Sequence, residues 1–184
     1  MLAAIMQMLD TTIANVALPH MQGSLSATQD QLSWVLTSYI VAAAIMTLPV
    51  GWLSGRYGRK NVFVISVAGF TVASVLCGVA SSLNEMVLFR VLQGFFGAAL
   101  VPLSQATLLD INRKEDHGKA MSLWAVSVMI GPILGPTLGG FLTEYYSWRW
   151  VFYINLPLGI LAFFIMYTLI PDAERVERKF DKLG

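Results

Sequence analysis

Asp10 and Arg90 stand out chemically, because each lies inside a long apolar run, residues 1–19 and 86–109 respectively. An ionised side chain in hydrocarbon costs several kcal/mol unless it finds a partner, a water-filled cavity or a proton, so such groups mark transport or relay paths. An acid that exchanges a proton near a base is the chemistry of proton coupling, and Asp10 and Arg90 are the candidates for it. Enzymatic catalysis has no foothold: no Ser/His/Asp or Cys/His set can be assembled, no Gly-Lys-Ser/Thr phosphate loop occurs, and the apolar runs hold no paired carboxylates. His20 and His117 have no second ligand at metal spacing, and the lone Cys77 excludes an intrachain disulfide and a cysteine-rich metal site. We therefore expect no metal and no cofactor, and read Cys77 as a packing residue.

The surrounding elements are those of a membrane. Hydrophobic residues make up 56% of the 184 and charged residues 12%, a balance that a water-soluble domain of this size rarely carries. A net charge of +1 without a basic patch argues against a nucleic-acid partner. Six runs are long enough to cross as helices: 1–19, 34–53, 62–80, 86–109, 120–142 and 150–170. The first begins without a basic flank and carries Gln7, Asp10, Thr11, Thr12 and Asn15, which argues against a cleaved signal peptide and makes the chain look cut short at its start.

Charge then orients the spans. The loops 55–61 (Arg56, Arg59, Lys60) and 111–119 (Arg113, Lys114, Lys119) and the tail (Arg175, Arg178, Lys179, Lys182) are basic, whereas 20–33 and 81–85 contain no lysine or arginine, and the turn 145–148 is followed only by Arg149. The positive-inside rule places both ends in the cytoplasm. Trp34, Tyr145, Tyr146, Trp148 and Trp150 should anchor the external boundary, with Trp52 and Tyr57 at the internal one. Asp110, Glu115 and Asp116 read as a solvated face.

Three motifs occupy this frame. Residues 51–60 combine Gly51, Gly55 and Gly58 with Arg56, Arg59 and Lys60, a tight cationic turn that either sets topology or latches onto a facing bundle. Arg90, Gln93, Gly94 and Gly97 recur on one helical stripe continued toward Gln105, lining a cavity or a helix contact unless Arg90 simply snorkels to the interface. Gly131, Gly135 and Gly139 stack at intervals of four beside Pro132, Pro136 and Gly140, predicting a kinked and closely packed helix that is either purely structural or a hinge or seal.

Together these motifs resemble the major facilitator superfamily of secondary transporters. Residues 51–60 are similar to its cytoplasmic loop motif, Arg90-Val-Leu-Gln-Gly94 to its fourth-helix motif, and 131–140 to the fifth-helix motif of its antiporters. The run Leu9-Asp-Thr-Thr-Ile-Ala-Asn-Val-Ala-Leu-Pro19 and residues 147–159 resemble the fourteen-span drug–proton antiporters, in particular the inner-membrane subunits of tripartite multidrug exporters. Gly55 departs from the pattern, standing where the loop motif usually has an aspartate, so a charge-relay gate through that position is not expected.

The resemblance implies an all-α membrane protein. Residues 1–171 would form a six-helix transmembrane bundle, the N-terminal half of the fold, built as two inverted three-helix repeats whose first helices carry Asp10 and Arg90. Residues 172–184 would be a cytoplasmic tail or linker toward a missing C-terminal half. It also implies a multi-pass protein of the inner membrane that exchanges protons for small lipophilic substrates, with a periplasmic adaptor and an outer-membrane channel as further partners. Asn15, Gln93, Gly94, Gly97 and Gln105 would face the substrate cavity, with Phe95, Phe96, Met6 and Met8 as apolar contacts. A symporter for another small solute and a non-transporting assembly fragment are the alternatives.

Overall fold

The computed structural model describes residues 1–170; the tail expected over 172–184 and its four cations lie outside them. The helices are α1 (Leu2–Met21), α2 (Gln29–Tyr57), α3 (Arg59–Val79), α4 (Leu83–Gly97), α5 (Leu100–Ile111), α6 (His117–Tyr145), α7 (Trp150–Tyr153) and α8 (Asn155–Leu169), with a single 3-10 turn at Lys114–Asp116. No strand occurs among the described residues. α4–α5 and α7–α8 each form one interrupted span, giving 6 helices long and apolar enough to cross a membrane.

Each interruption has a proline four residues beyond the carbonyl it disturbs. Pro102 cannot donate to the carbonyl of Ala98 and its ring crowds that oxygen, so α4 ends at Gly97 and α5 starts at Leu100. Pro157 does the same to Tyr153, and the chain breaks at Ile154. The expected kink in α6 does not break it: that helix is continuous through Pro132 and Pro136, whose rings stand on its exposed side.

α2 is longer than the apolar run foretold, because its start is set by polar capping. Thr28 Oγ1 accepts from Gln31 N at 3.4 Å and Gln31 Oε1 accepts from Thr28 N at 3.0 Å, a capping box that carries the helix to Gln29. At its other end α2 runs through Gly51 and Gly55, so the expected loop over 55–61 contracts to Gly58 alone. Gly58 has φ +88°, a conformation open to glycine and strained for other residues, which lets α3 start at once.

α1 packs along α6, α2 along α4, and α3 against both α4 and α8. Two apolar clusters fill the bundle. One joins Ile13, Met21, Val35, Cys77, Met86 and Phe152, and the other joins Met6, Tyr39, Val67, Phe70, Leu100 and Met166. Large apolar side chains also cover the outside, Leu48 at 86% exposure and Phe164 at 60%, an arrangement stable against lipid rather than water.

One boundary expectation is corrected. Trp148 is buried rather than interfacial, because its indole N–H donates to Ser24 Oγ at 2.8 Å and its ring carries the Arg149 guanidinium 4.3 Å from its centroid. Arg149 in turn donates to the carbonyls of Gly78 and Ala80, at 3.1 and 2.8 Å, capping the C-terminal end of α3. Asp110 is exposed, as expected, and also forms an ion pair with Arg59 that ties the start of α3 to the end of α5. Both partners remain partly exposed, at 33% and 52%. Replacing either one, by Arg59→Gln or Asp110→Asn, should therefore cost less than about 1 kcal/mol, an effect that shrinks further with added salt in thermal unfolding.

Candidate functional site

The two apolar clusters meet at Asp10, which stands between Met6 of one and Ile13 of the other along α1 and is 1% exposed. Arg90 is fully buried. Its Nη1 donates to Asp10 Oδ2 at 2.7 Å, so the acid and base separated by 80 positions form one ion pair inside the bundle. Arg90 does not snorkel to an interface.

The stripe on α4 holds this pair in place. Gln93, one turn beyond Arg90, donates from Nε2 to Asp10 Oδ1 at 2.8 Å and accepts from Arg90 Nη1 at 2.8 Å. Arg90 Nε donates to the carbonyl of Val35 at 3.1 Å, and the guanidinium lies 4.3 Å from the Tyr39 ring centroid and 5.8 Å from that of Phe152. Two aromatic faces thus offset part of the cation's lost hydration. Gly94 and Gly97 permit this closeness: a Cβ on Gly94 would run into the carbonyl oxygen of Tyr39, and one on Gly97 would stand 3.0 Å from the Tyr39 hydroxyl. The two glycines of the stripe thus make a helix contact with α2.

Sequence reasoning missed the other half of the network. Asn155 donates from Nδ2 to Asp10 Oδ1 at 2.8 Å and to Ser74 Oγ at 2.9 Å, while Ser74 Oγ donates to the carbonyl of Phe152 at 2.9 Å. Asn155 is fully buried, and an amide inside an apolar run was the available signal. Cys77 packs in the core as expected, yet its thiol also donates to Gln93 Oε1 at 3.5 Å. Arg90 Nη2 and Asn155 Oδ1 are buried without a partner.

The glycines of α6 seat the helix that carries the acid. Gly131 faces Met8 and Leu9, Gly135 faces Thr12, and Gly139 faces Ile13 and Val16; Thr12 Oγ1 donates to the carbonyl of Gly131 at 3.1 Å. Gly140 has open space around it and takes no part in this contact.

The remaining candidates do not join the cluster. Asn15 is exposed and turns its amide back to the carbonyl of Thr11 at 2.8 Å, Gln105 is half-buried on α5, and Met6 is core. Phe95 and Phe96 instead line an apolar cavity of about 510 Å³ between α2, α3 and α4, with Arg56 and Asn61 among its walls. In the loop motif, Arg56 lies over the rings of Trp52 and Tyr57 at 5.4 and 5.8 Å, Arg59 pairs with Asp110, and Lys60 stands 5.8 Å from the Tyr167 ring centroid. No group of three or more potential metal ligands occurs among the described residues.

Residues 1–183 match the family profile described as the Major Facilitator Superfamily. The chain belongs to that superfamily. Among its relatives, the multidrug export protein EmrB of Haemophilus influenzae is 41% identical over 185 residues, covering 100% of this chain and 36% of the relative. The fatty acid resistance protein FarB of Neisseria gonorrhoeae is 44% identical over 173 residues, 94% of this chain and 34% of the relative. The chain thus spans about a third of the length of these relatives. In structure, the inward-open xylose transporter XylE from E. coli superposes with a TM-score of 0.82 at 18% identity, covering 94% of this chain and 46% of that one. The chain therefore has the fold of a six-helix facilitator half, that of a multi-pass membrane transporter and not of an enzyme.

Proposed function

We propose that this chain is the N-terminal six-span half of an inner-membrane drug–proton antiporter in which Asp10 carries the exchanged proton and Arg90 is its counter-ion. The observation that supports this most strongly is the fully enclosed pair at 2.7 Å: a carboxylate against a fixed cation, in a family whose sequence relatives include multidrug export proteins. Rocking of two halves around such a pair changes its separation or its hydration, and either change alters which protonation state of Asp10 is favoured. Substrate would be taken up at the cavity between the halves, with Asn15 and Gln105 as outlying contacts and Gln93, Gly94 and Gly97 acting through the helix contact that aims Arg90. Residues 172–184 would link the halves in the cytoplasm, and a periplasmic adaptor and outer-membrane channel would complete the exporter. Replacement of the loop aspartate by Gly55 fits a latch made within this half, Arg59 to Asp110.

The test uses the protein from the complete reading frame, reconstituted in vesicles with a proton gradient. Asp10→Asn should lower gradient-driven drug export at least about tenfold, ~1.4 kcal/mol on the coupled step, at equal protein level. Unchanged export would overturn the role of Asp10. Adding drug to the wild type should release protons; proton uptake would instead favour a symporter.

A further inference from the structure

Asp10 accepts three hydrogen bonds and, among the described residues, every side chain that bonds it is a donor: Arg90, Gln93 and Asn155. This arrangement suits a carboxylate. It gives nothing to a carboxylic acid, whose O–H requires an acceptor in a buried site. Adding a proton to Asp10 therefore forces a neighbour to change.

The neighbours differ in their freedom to do so. Arg90 can only donate. Gln93 is locked, because its Oε1 already accepts from Arg90 Nη1 and from the Cys77 thiol, and turning its amide over would set an NH2 against the guanidinium. The Tyr39 hydroxyl lies beside Gly97, and it is the ring of Tyr39 that stacks on the Arg90 guanidinium. Arg90 on α4, Tyr39 on α2 and Cys77 on α3 are the titratable groups packed about Asp10; Arg90 has no acceptor to give, and neither Tyr39 nor Cys77 is hydrogen-bonded to Asp10. Of the three side chains that bond Asp10, Asn155 alone has a spare acceptor: its Oδ1 is fully buried and bonds nothing, whereas the unpartnered Gln7 Oε1 and Tyr39 hydroxyl are not bonded to Asp10.

We propose that Asn155 reads the protonation state of Asp10, its side-chain amide turning over when Asp10 takes up a proton, and that Ser74 carries the change to the α7–α8 break. This inference rests on Asp10 being the proton carrier. With Asp10 charged, Asn155 Nδ2 donates to Asp10 Oδ1 and to Ser74 Oγ, which leaves the Ser74 hydroxyl to hold the Phe152 carbonyl. With Asp10 neutral, the proton taken from bulk water sits on Oδ1 and is donated to Asn155 Oδ1 in its turned position. That oxygen also accepts from Ser74, whose hydroxyl swings away from Phe152. The Phe152 carbonyl lies near the end of α7, where the Ile154 N–H just beyond the helix is shared with the Trp150 carbonyl at 3.0 Å, so losing Ser74 loosens the junction that Pro157 already interrupts. Return of the proton to water on the other side reverses each step. The geometry thus makes Asn155 a positioning residue that couples protonation on α1 to the angle of the sixth span.

Infrared difference spectroscopy on the complete protein in vesicles, with asparagine side-chain carbonyls carbon-13 labelled, tests this. Acidification should produce a protonated-carboxyl band that is absent in Asp10→Asn. With the same midpoint, one labelled amide-carbonyl band should move to lower frequency as it gains hydrogen bonds, and this shift should be absent in both Asp10→Asn and Asn155→Leu. A carboxyl band that titrates while every asparagine band stays fixed would overturn the inference and leave Asp10 as carrier. No carboxyl band dependent on Asp10 would overturn both. Because the signal is read in the wild type, it survives if Asn155→Leu accumulates poorly; the milder Asn155→Ser then supplies the control.

Discussion

Arg90→Met in the complete protein should lower its unfolding free energy by about 3–5 kcal/mol, and adding Asp10→Leu should recover roughly half of that loss. The single change strands a carboxylate that is 1% exposed, with Gln93 and Asn155 as its remaining donors and no counter-charge. Removing one partner of a buried pair leaves an uncompensated charge, whereas removing both exchanges two desolvated ions for apolar volume. Recovery stays partial because Gln93 and Asn155 then keep buried amide groups without a carboxylate to bind. The cycle is measured by denaturant unfolding of the detergent-solubilised protein, with Arg90→Met, Asp10→Leu and the double variant side by side. A cost for Arg90→Met near that of an exposed pair, below about 1 kcal/mol, would mean that the ion pair is not desolvated in the working protein.

The second large effect is steric. Gly94→Ala should destabilise the bundle by about 1–3 kcal/mol and Gly94→Leu by more, since a side chain there meets backbone rather than a yielding side chain. A Cβ at Gly94 runs into the Tyr39 carbonyl oxygen and stands 3.1 Å from Ala42 Cβ and 3.2 Å from Ala43 N. α2 must move off α4, taking the Tyr39 ring away from the Arg90 guanidinium it covers. Transport should therefore fall together with stability. Gly51→Ala is the matched control: it lies inside α2 with nothing within 4 Å, and relief of glycine's chain entropy should stabilise it by about 0.5–1 kcal/mol. Equal midpoints for Gly94→Ala and Gly51→Ala in thermal unfolding would show that the two helices do not approach as described.

The stripe on α4 shows why some of the site is legible one residue at a time. Arg90, Gln93, Gly94 and Gly97 share a face through helical spacing alone, and an arginine within an apolar run signals a partner before any partner is known. The same logic marked Asp10. It did not mark Asn155, because a neutral amide in a span is cheaper to bury than a charge and shows itself only through what it bonds. Met6 illustrates the reverse error, an adaptable side chain assigned to a cavity from its type, although its face of α1 is packed against the core.

Element ends divide in a similar way. Hydropathy placed six spans, but the start of α2 was set by the reciprocal capping of Thr28 and Gln31, and its end by the positive φ of Gly58. The prolines at 102 and 157 break their spans, whereas those at 132 and 136 do not interrupt α6. Proline identity alone does not distinguish these cases.

What the chain determined by itself was its solvent and its frame. Six apolar runs, alternating loop charge and two misplaced ions require a helical membrane bundle, because local composition sets transfer energy and local periodicity sets the faces. What only the tertiary structure decided was which side chains meet. Asp10, Arg90, Gln93, Ser74 and Asn155 lie on four separate spans, and whether each buried polar atom is satisfied, locked or left with a free lone pair depends on distances that no single helix fixes.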